Sequence, residues 1–150
     1  MLADGGALRV MQAVALFRMA SDSRDVRAGL HRALQAEPLS LLSADDRSTA
    51  EIVLAEVLNN IAEHAYAQGD GTILLSLALG HDRLDCVIED QGGPMPGGAL
   101  PEGAAPDPAR LPEGGFGWHL IRTLCCDLSY ERIGPTNRLK FSLPAERSRG

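Results

Sequence analysis

Three short stretches carry residue types that chemistry needs. In LAEVLNNIAEHAY, residues 54 to 66, Glu56, Asn60 and His64 recur at every fourth position. On a helix that spacing sets an acid, an amide and an imidazole in one row, beside the apolar residues Leu54, Val57, Leu58 and Ile61. The side-chain oxygen of Asn60 suits Mg²⁺, a cation that takes oxygen ligands and keeps several waters while bridging phosphates. Glu56, one turn earlier, can orient or deprotonate an attacking water or hydroxyl. Glu63 reads as solvated surface, and Asn59 points about 100° away from Asn60 around the helix, so neither is given a role.

The second stretch is EDQGGP, residues 89 to 94, where Asp90 ends an apolar run and glycines follow. A carboxylate there can accept a hydrogen bond from a ligand amine, and Gly92 leaves room for a flat ring against the backbone. The third is EGGFG, residues 113 to 117. Glycines ahead of a helix bring a ligand close to unpaired backbone N–H groups at the positive helix end, which is an anion site, with phosphate the common anion. Each stretch alone also fits a plainer reading: a solvated helix flank, a turn, a hinge before a helix.

The elements that must position these residues are legible from periodicity. An edge strand is expected over residues 14–20, then a helix capped within Ser21–Asp25 and stopped by Pro38. A second helix starts near Ser43, with Asp45 and Asp46 in its first turn, and runs to about Ala67. Residues 68–71 are turn chemistry, and 72–80 and 84–90 are half-buried hairpin strands. Residues 91–115 are rich in Gly and Pro and exclude both a helix and a central strand; a loop of that length is typically a lid or a binding loop. A helix over 116–128 and two strands, 129–133 and 138–143, close the chain. The order β, α, α, β, β, loop, α, β, β reads as an α+β two-layer sandwich with helices on one face of a mixed, mostly antiparallel sheet. Residues 1–6 and 145–150 are expected to be disordered.

The chain has 150 residues, enough for one domain with its own core. A net charge of −6 argues against direct nucleic-acid binding, which needs clustered Lys and Arg. No apolar run reaches membrane-span length and no leader pattern is visible, so a cytoplasmic protein off the membrane is expected. Cys86, Cys125 and Cys126 do not have metal-site spacing and read as reduced core thiols.

Taken in order, ExxxN on a helix, an acid and glycine at a strand end, a Gly/Pro lid and GxG opening a helix resemble the GHKL, or histidine-kinase-like, ATPase superfamily. LAEVLNNIAEHAY is most similar to the small anti-sigma-factor serine kinases of that superfamily, and the resemblance spans roughly residues 14 to 143. It implies the Bergerat ATP-binding fold, with 93–114 as the ATP lid, and ATP and Mg²⁺ as cofactors. It implies Glu56 as general base and Asn60 as Mg²⁺ ligand. Asp90 would receive the adenine amino group beside Gly92, Gly115 and Gly117 would bring N–H groups to the phosphates, and Thr136 would lie near adenine. His64 falls where that branch often has His. The implied activity is a serine/threonine-protein kinase that sequesters a sigma factor and phosphorylates a STAS-type anti-sigma antagonist, acting as a homodimer. The alternatives are a nucleotide-binding regulatory module without transfer, and a stand-alone histidine-kinase catalytic domain. Two departures stand out: Pro94 replaces the last glycine of the usual DxGxG, and the phosphoacceptor helix pair of a complete histidine kinase is missing from these residues.

Overall fold

Alternating apolar residues build the sheet, and 3.6-residue periodicity builds the helices that cover it. The computed structural model describes residues 13–65, 71–101 and 116–146, without the side chains of residues 64, 65, 96 and 116. The elements are β1 (Ala13–Ala20), α1 (Ser23–Gln35), α2 (Ala44–Asn60), β2 (Thr72–Leu79), β3 (Arg83–Asp90), α3 (Phe116–Leu124), β4 (Cys126–Ile133) and β5 (Thr136–Pro144). They form an α+β sandwich in which the helices cover one face of a five-stranded sheet of order β1-β2-β3-β5-β4.

All four strand pairings are antiparallel, where a mixed sheet was expected. The connections explain this. Two helices, α1 and α2, lie between β1 and β2, so the chain returns to the end it left: Ala20, the last residue of β1, pairs with Thr72, the first of β2. A single helix between β3 and β4 gives those two strands the same direction, but β5 lies between them. Parallel direction is therefore present without a parallel pair.

The inward row of the sheet is Ile73, Leu75, Leu77 and Leu79 on β2, Leu84, Cys86 and Ile88 on β3, and Leu139, Phe141 and Leu143 on β5, all buried. Helix α2 meets it with Ala50, Val53, Leu54, Val57, Leu58 and Ile61, spaced i, i+3, i+4, i+7, i+8, i+11. Asp22 caps α1 by accepting from the Asp25 N–H at 2.8 Å, and Ser43 caps α2 by accepting from the Asp46 N–H at 3.2 Å. Arg47 donates to the carbonyl of Leu34 at 2.8 Å through one terminal nitrogen, placing a cation on the negative end of α1 and fixing the two helices together. Gly29 lets α1 lie on β1: a Cβ there would stand 2.9 Å from Met19 Cε. Leu30 of α1 is buried, whereas Val14 and Leu16 on the edge strand are 71% and 64% exposed.

Several expected boundaries move. Helix α2 ends at Asn60 and continues as a π-helical turn over Ile61–Ala65; the rest of its expected span, to Ala67, lies outside the described residues. Helix α3 stops at Leu124 rather than at 128, and β4 starts at Cys126. The cause is Asp127, whose φ of 53° breaks the helical path and forms an irregularity in the β4–β5 ladder between Cys126 and Ser129. β5 starts at Thr136 because Gly134, at φ 59°, and Pro135 make a two-residue hairpin turn. Ala145 and Glu146, expected in a loose tail, are ordered: the Glu146 N–H donates to Asp46 at 2.6 Å and its carbonyl accepts from the Ser43 N–H at 2.8 Å. Residues 1–6 and 147–150 fall outside the described part.

The thiols separate by environment. Cys86 is buried, Cys125 half-buried with its pKa pushed by burial up to about 12, and Cys126 exposed, contrary to its expected place in the core. Among the described residues no helix is long and apolar enough to cross a membrane.

Ile121 on α3 is completely buried, so Ile121→Ala should lower unfolding free energy by about 2–5 kcal/mol. Denaturant titration followed by circular dichroism measures this, and an unchanged midpoint would contradict the packing of α3 described here.

Candidate functional site

The site forms where α2 passes under the first turn of α3. Glu56 and Asn60 lie on the flank of α2, both partly buried, one turn apart. Gly117 is in the first turn of α3. A Cβ built on Gly117 would stand 2.5 Å from Glu56 Oε2 and 3.6 Å from Asn60 Nδ2. The acid and the amide thus both lie close beside the helix start, in space that a side chain at position 117 would occupy. The N–H groups of that helix turn supply partial positive charge. Asn60 Nδ2 is buried and has no hydrogen-bond partner among the described residues. A buried orphan of that kind costs about 1–3 kcal/mol, a cost that a ligand or water removes.

That orphan bears on a metal as well. Rotating the amide half a turn presents Oδ1 in the same place, and such a flip is settled only by the group's partner. Among the described residues no group of three His, Cys, Asp or Glu side chains could hold a metal ion. One amide oxygen at Asn60 would suit Mg²⁺ that takes its remaining ligands from phosphate oxygens and waters, the mode this cation favours.

The second cluster lies at the end of β3. Strict alternation along this strand sends Leu84, Cys86, Ile88 and then Asp90 toward the helices, so the pleat carries a carboxylate inward where the apolar row stops. Asp90 is 5% exposed. Its Oδ1 accepts from the Gly92 N–H at 2.9 Å, closing a turn characteristic of Asp, and from Asn137 Nδ2 at 2.9 Å. Both hydrogen bonds fall on one oxygen, which leaves Oδ2 for a ligand. Gly92 is buried, and its carbonyl accepts from Arg132 at 2.8 Å and from Asn137 at 3.2 Å. The start of the loop after β3 is held further on: the Met95 N–H donates to the Tyr130 hydroxyl at 3.0 Å, and Arg122 of α3 donates to the Pro101 carbonyl at 2.8 Å.

The sequence-derived residues thus fall into two groups, Glu56, Asn60 and Gly117 in one, Asp90 and Gly92 in the other. Thr136 shares a cavity lining with Asp90 but is not its cross-strand partner. Asn137, not Thr136, pairs with Asp90 in the β3–β5 register. Residue alternation puts Thr136 on the opposite side of β5, where it lines a cavity of about 590 Å³ with Arg18, Leu74, Glu89, Gln91 and Asp90. That cavity lies mainly on the face of the sheet away from the helices, and the orphaned amide and the Gly117 contact, not the cavity, mark the site. The loose spacing between GlyProThrAsn and the last strand hid the one-residue offset; the turn-forming Gly134-Pro135 pair is the signal that reveals it. Gly115, most of the 93–114 lid and the side chain of His64 lie outside the described residues.

A polar row on one helix, a glycine at the start of the next and a buried acid at a strand end are the features that carry the family resemblance, and the sequence comparison gives the same family. The profile of the histidine kinase-like ATPase domain matches residues 19–143. The chain belongs to that family. Among curated relatives, it is 33% identical over 89 residues to the serine-protein kinase RsbW of Bacillus mycoides, covering 56% of either chain. It is 38% identical over 92 residues to the serine-protein kinase RsbW of Halalkalibacterium halodurans, covering 53% of this chain and 52% of that one. The chain thus spans about half the length of the curated relatives it matches. Of solved structures, the histidine kinase domain of the blue-light activated histidine kinase EL346 from Erythrobacter litoralis aligns with a TM-score of 0.45 at 21% identity, over 67% of this chain and 45% of that one.

Gly117→Ala should leave the fold intact, because the atom in its way is the free end of the Glu56 side chain. The methyl group forces that carboxylate aside, and ATP turnover should fall by about tenfold or more while the melting temperature changes by about 2 °C or less. Paired turnover and thermal-shift measurements check this. Equal losses of both would mean that position 117 serves packing alone.

Proposed function

We propose that the chain is an ATP-dependent serine/threonine-protein kinase of the anti-sigma type. It would hold a sigma factor and phosphorylate a STAS-type antagonist. The observation that carries the transfer reading is the closeness of Glu56 and the unpartnered Asn60 Nδ2 to the helix start at Gly117. A base, a metal-competent amide and an anion-binding helix end close together match what phosphoryl transfer from ATP requires. The serine-protein kinase names of the relatives support the choice of acceptor. The sigma factor and the antagonist rest on the resemblance to the anti-sigma branch.

In this reading Asp90 accepts the exocyclic amine of adenine, Gly92 gives the ring its place against the backbone, and the first turn of α3 receives the phosphates. Mg²⁺, when bound at Asn60, would neutralise charge on the phosphate oxygens. Glu56 takes the proton from the acceptor hydroxyl as its oxygen forms the new bond to the γ-phosphorus. The bond from that phosphorus to the bridging oxygen breaks, and ADP leaves with the electron pair. Glycines 115 and 117 and the 93–114 lid would close over the phosphates, with His64 at the end of the same polar row. The homodimer belongs to the same proposal, and the exposed Val14 and Leu16 on edge strand β1 favour it. So does a cytoplasmic location, where sigma factors act.

Roles divided in this way separate by mutation. Glu56→Gln should abolish transfer by about 10²–10⁴-fold with ATP affinity within about threefold of the unmodified chain. Asp90→Ala should weaken ATP binding by about tenfold or more. Calorimetry with Mg·ATP gives the affinities. Labelled ATP with a candidate antagonist gives the transfer, and an acid-stable product is the mark of Ser or Thr. An acid-labile label would instead indicate histidine phosphorylation, and binding without any labelled product a regulatory module. Should Glu56→Gln lose affinity as severely as Asp90→Ala, the assignment of Glu56 as base fails.

A further inference from the structure

Asn137 is 5% exposed and both ends of its amide are engaged. Nδ2 donates to Asp90 Oδ1 at 2.9 Å and reaches the carbonyls of Gly92 and Gly93 at 3.2 and 2.9 Å. Its Oδ1 accepts from the Tyr130 hydroxyl at 2.6 Å and from Arg132 at 3.0 Å. The orientation of this amide is fixed by its neighbours. Acceptors surround one end, and the other faces an arginine, which can only donate, and a tyrosine hydroxyl whose own oxygen already accepts from the Met95 N–H. Tyr130 and Arg132 share one side of β4, and Asn137 sits across from Asp90 on β5. Three strands and the root of the lid therefore converge on one buried amide.

We propose that Asn137 is a positioning residue for nucleobase recognition. It aims the Asp90 carboxylate by holding Oδ1, so that Oδ2 presents a fixed acceptor to one exocyclic amine, and it ties that aim to the lid root at Gly92 and Gly93. Tyr130 and Arg132 hold Asn137 in turn. This rests on the nucleotide-site reading above and extends it to base selectivity. A fixed acceptor welcomes the amine of adenine and opposes the carbonyl that guanine has at the corresponding position, whereas a carboxylate free to swing discriminates less.

The test measures binding of ATP, GTP and inorganic tripolyphosphate to the full chain by calorimetry. Asn137→Ala should weaken ATP binding by about tenfold and lower the ATP-to-GTP preference by a similar factor, with tripolyphosphate binding unchanged. Asn137→Asp keeps the acceptor toward Tyr130 and Arg132 but sets a second carboxylate against Asp90. Its ATP affinity should fall further at about pH 8 and recover toward about pH 6, because paired carboxylates take up a shared proton and the new O–H replaces the lost donor. Asn137→Ala should show no such recovery. Tyr130→Phe retains the ring, and it should shift the preference in the same direction by about threefold; it decides the matter if Asn137→Ala does not fold. The inference is overturned if base preference is unchanged in the folded variants, or if tripolyphosphate binding falls as much as ATP binding. An unmodified chain that binds no ATP overturns the nucleotide reading itself, a result distinct from either of these.

Discussion

The missing side chain at Gly117 decides how closely the Glu56 carboxylate and the Asn60 amide can approach the first turn of α3. With no Cβ there, the first turn of α3 lies against the Glu56 carboxylate and the Asn60 amide. Any larger residue would push the acid aside or move the helix. The apolar side of α3, with Trp118 and Ile121 buried, holds the helix on the core and so presses its N-terminus onto the polar flank of α2. The core thereby pays part of the electrostatic cost of the site: a carboxylate and a partly buried amide would not on their own keep a helix end close. The unsatisfied Asn60 nitrogen is what remains of that cost.

The Asp90 cluster is arranged on a different principle. Glu56 and Asn60 meet few protein partners, whereas the Asp90 carboxylate is held by Gly92 and Asn137, and Asn137 by Tyr130 and Arg132. One cluster is left open at the point where a ligand's charge would be handled, and the other is fixed where a ligand's shape would be read. Preorganisation has that distribution of cost: a recognising acceptor gains from being held still, while groups that must meet a changing phosphate need vacant hydrogen-bonding capacity.

Much of this was legible in the sequence because the relevant signals are local. The i, i+4 spacing of Glu56 and Asn60 specifies a shared helix flank whatever the fold, and the apolar alternation from Leu84 to Ile88 specifies which way Asp90 points. The α+β layering followed from the order of elements. What was not legible depended on backbone geometry at single residues. The left-handed Asp127 cut α3 short, and the Gly134-Pro135 turn advanced β5 by two residues. That shift is why Thr136 faces away from the helices and Asn137 stands opposite Asp90. Tyr130 and Arg132 gave no signal at all, since an amide held by residues from a neighbouring strand requires the register to be known first.

The same register explains how a departure from the usual glycine pattern is accommodated. Pro94 has no N–H to donate, yet it stands between residues that are held by others: Gly92 and Gly93 through their carbonyls to Asn137, and Met95 through its N–H to Tyr130. The proline thus occupies a position whose neighbours already satisfy β4 and β5, and its fixed φ removes freedom from the chain at the point where the lid leaves the sheet. A glycine there would leave the lid root to rely on the same hydrogen bonds against a larger loss of backbone entropy. Proline at this position is consistent with a lid whose base is set by β4 and β5, with Arg122 of α3 holding the Pro101 carbonyl.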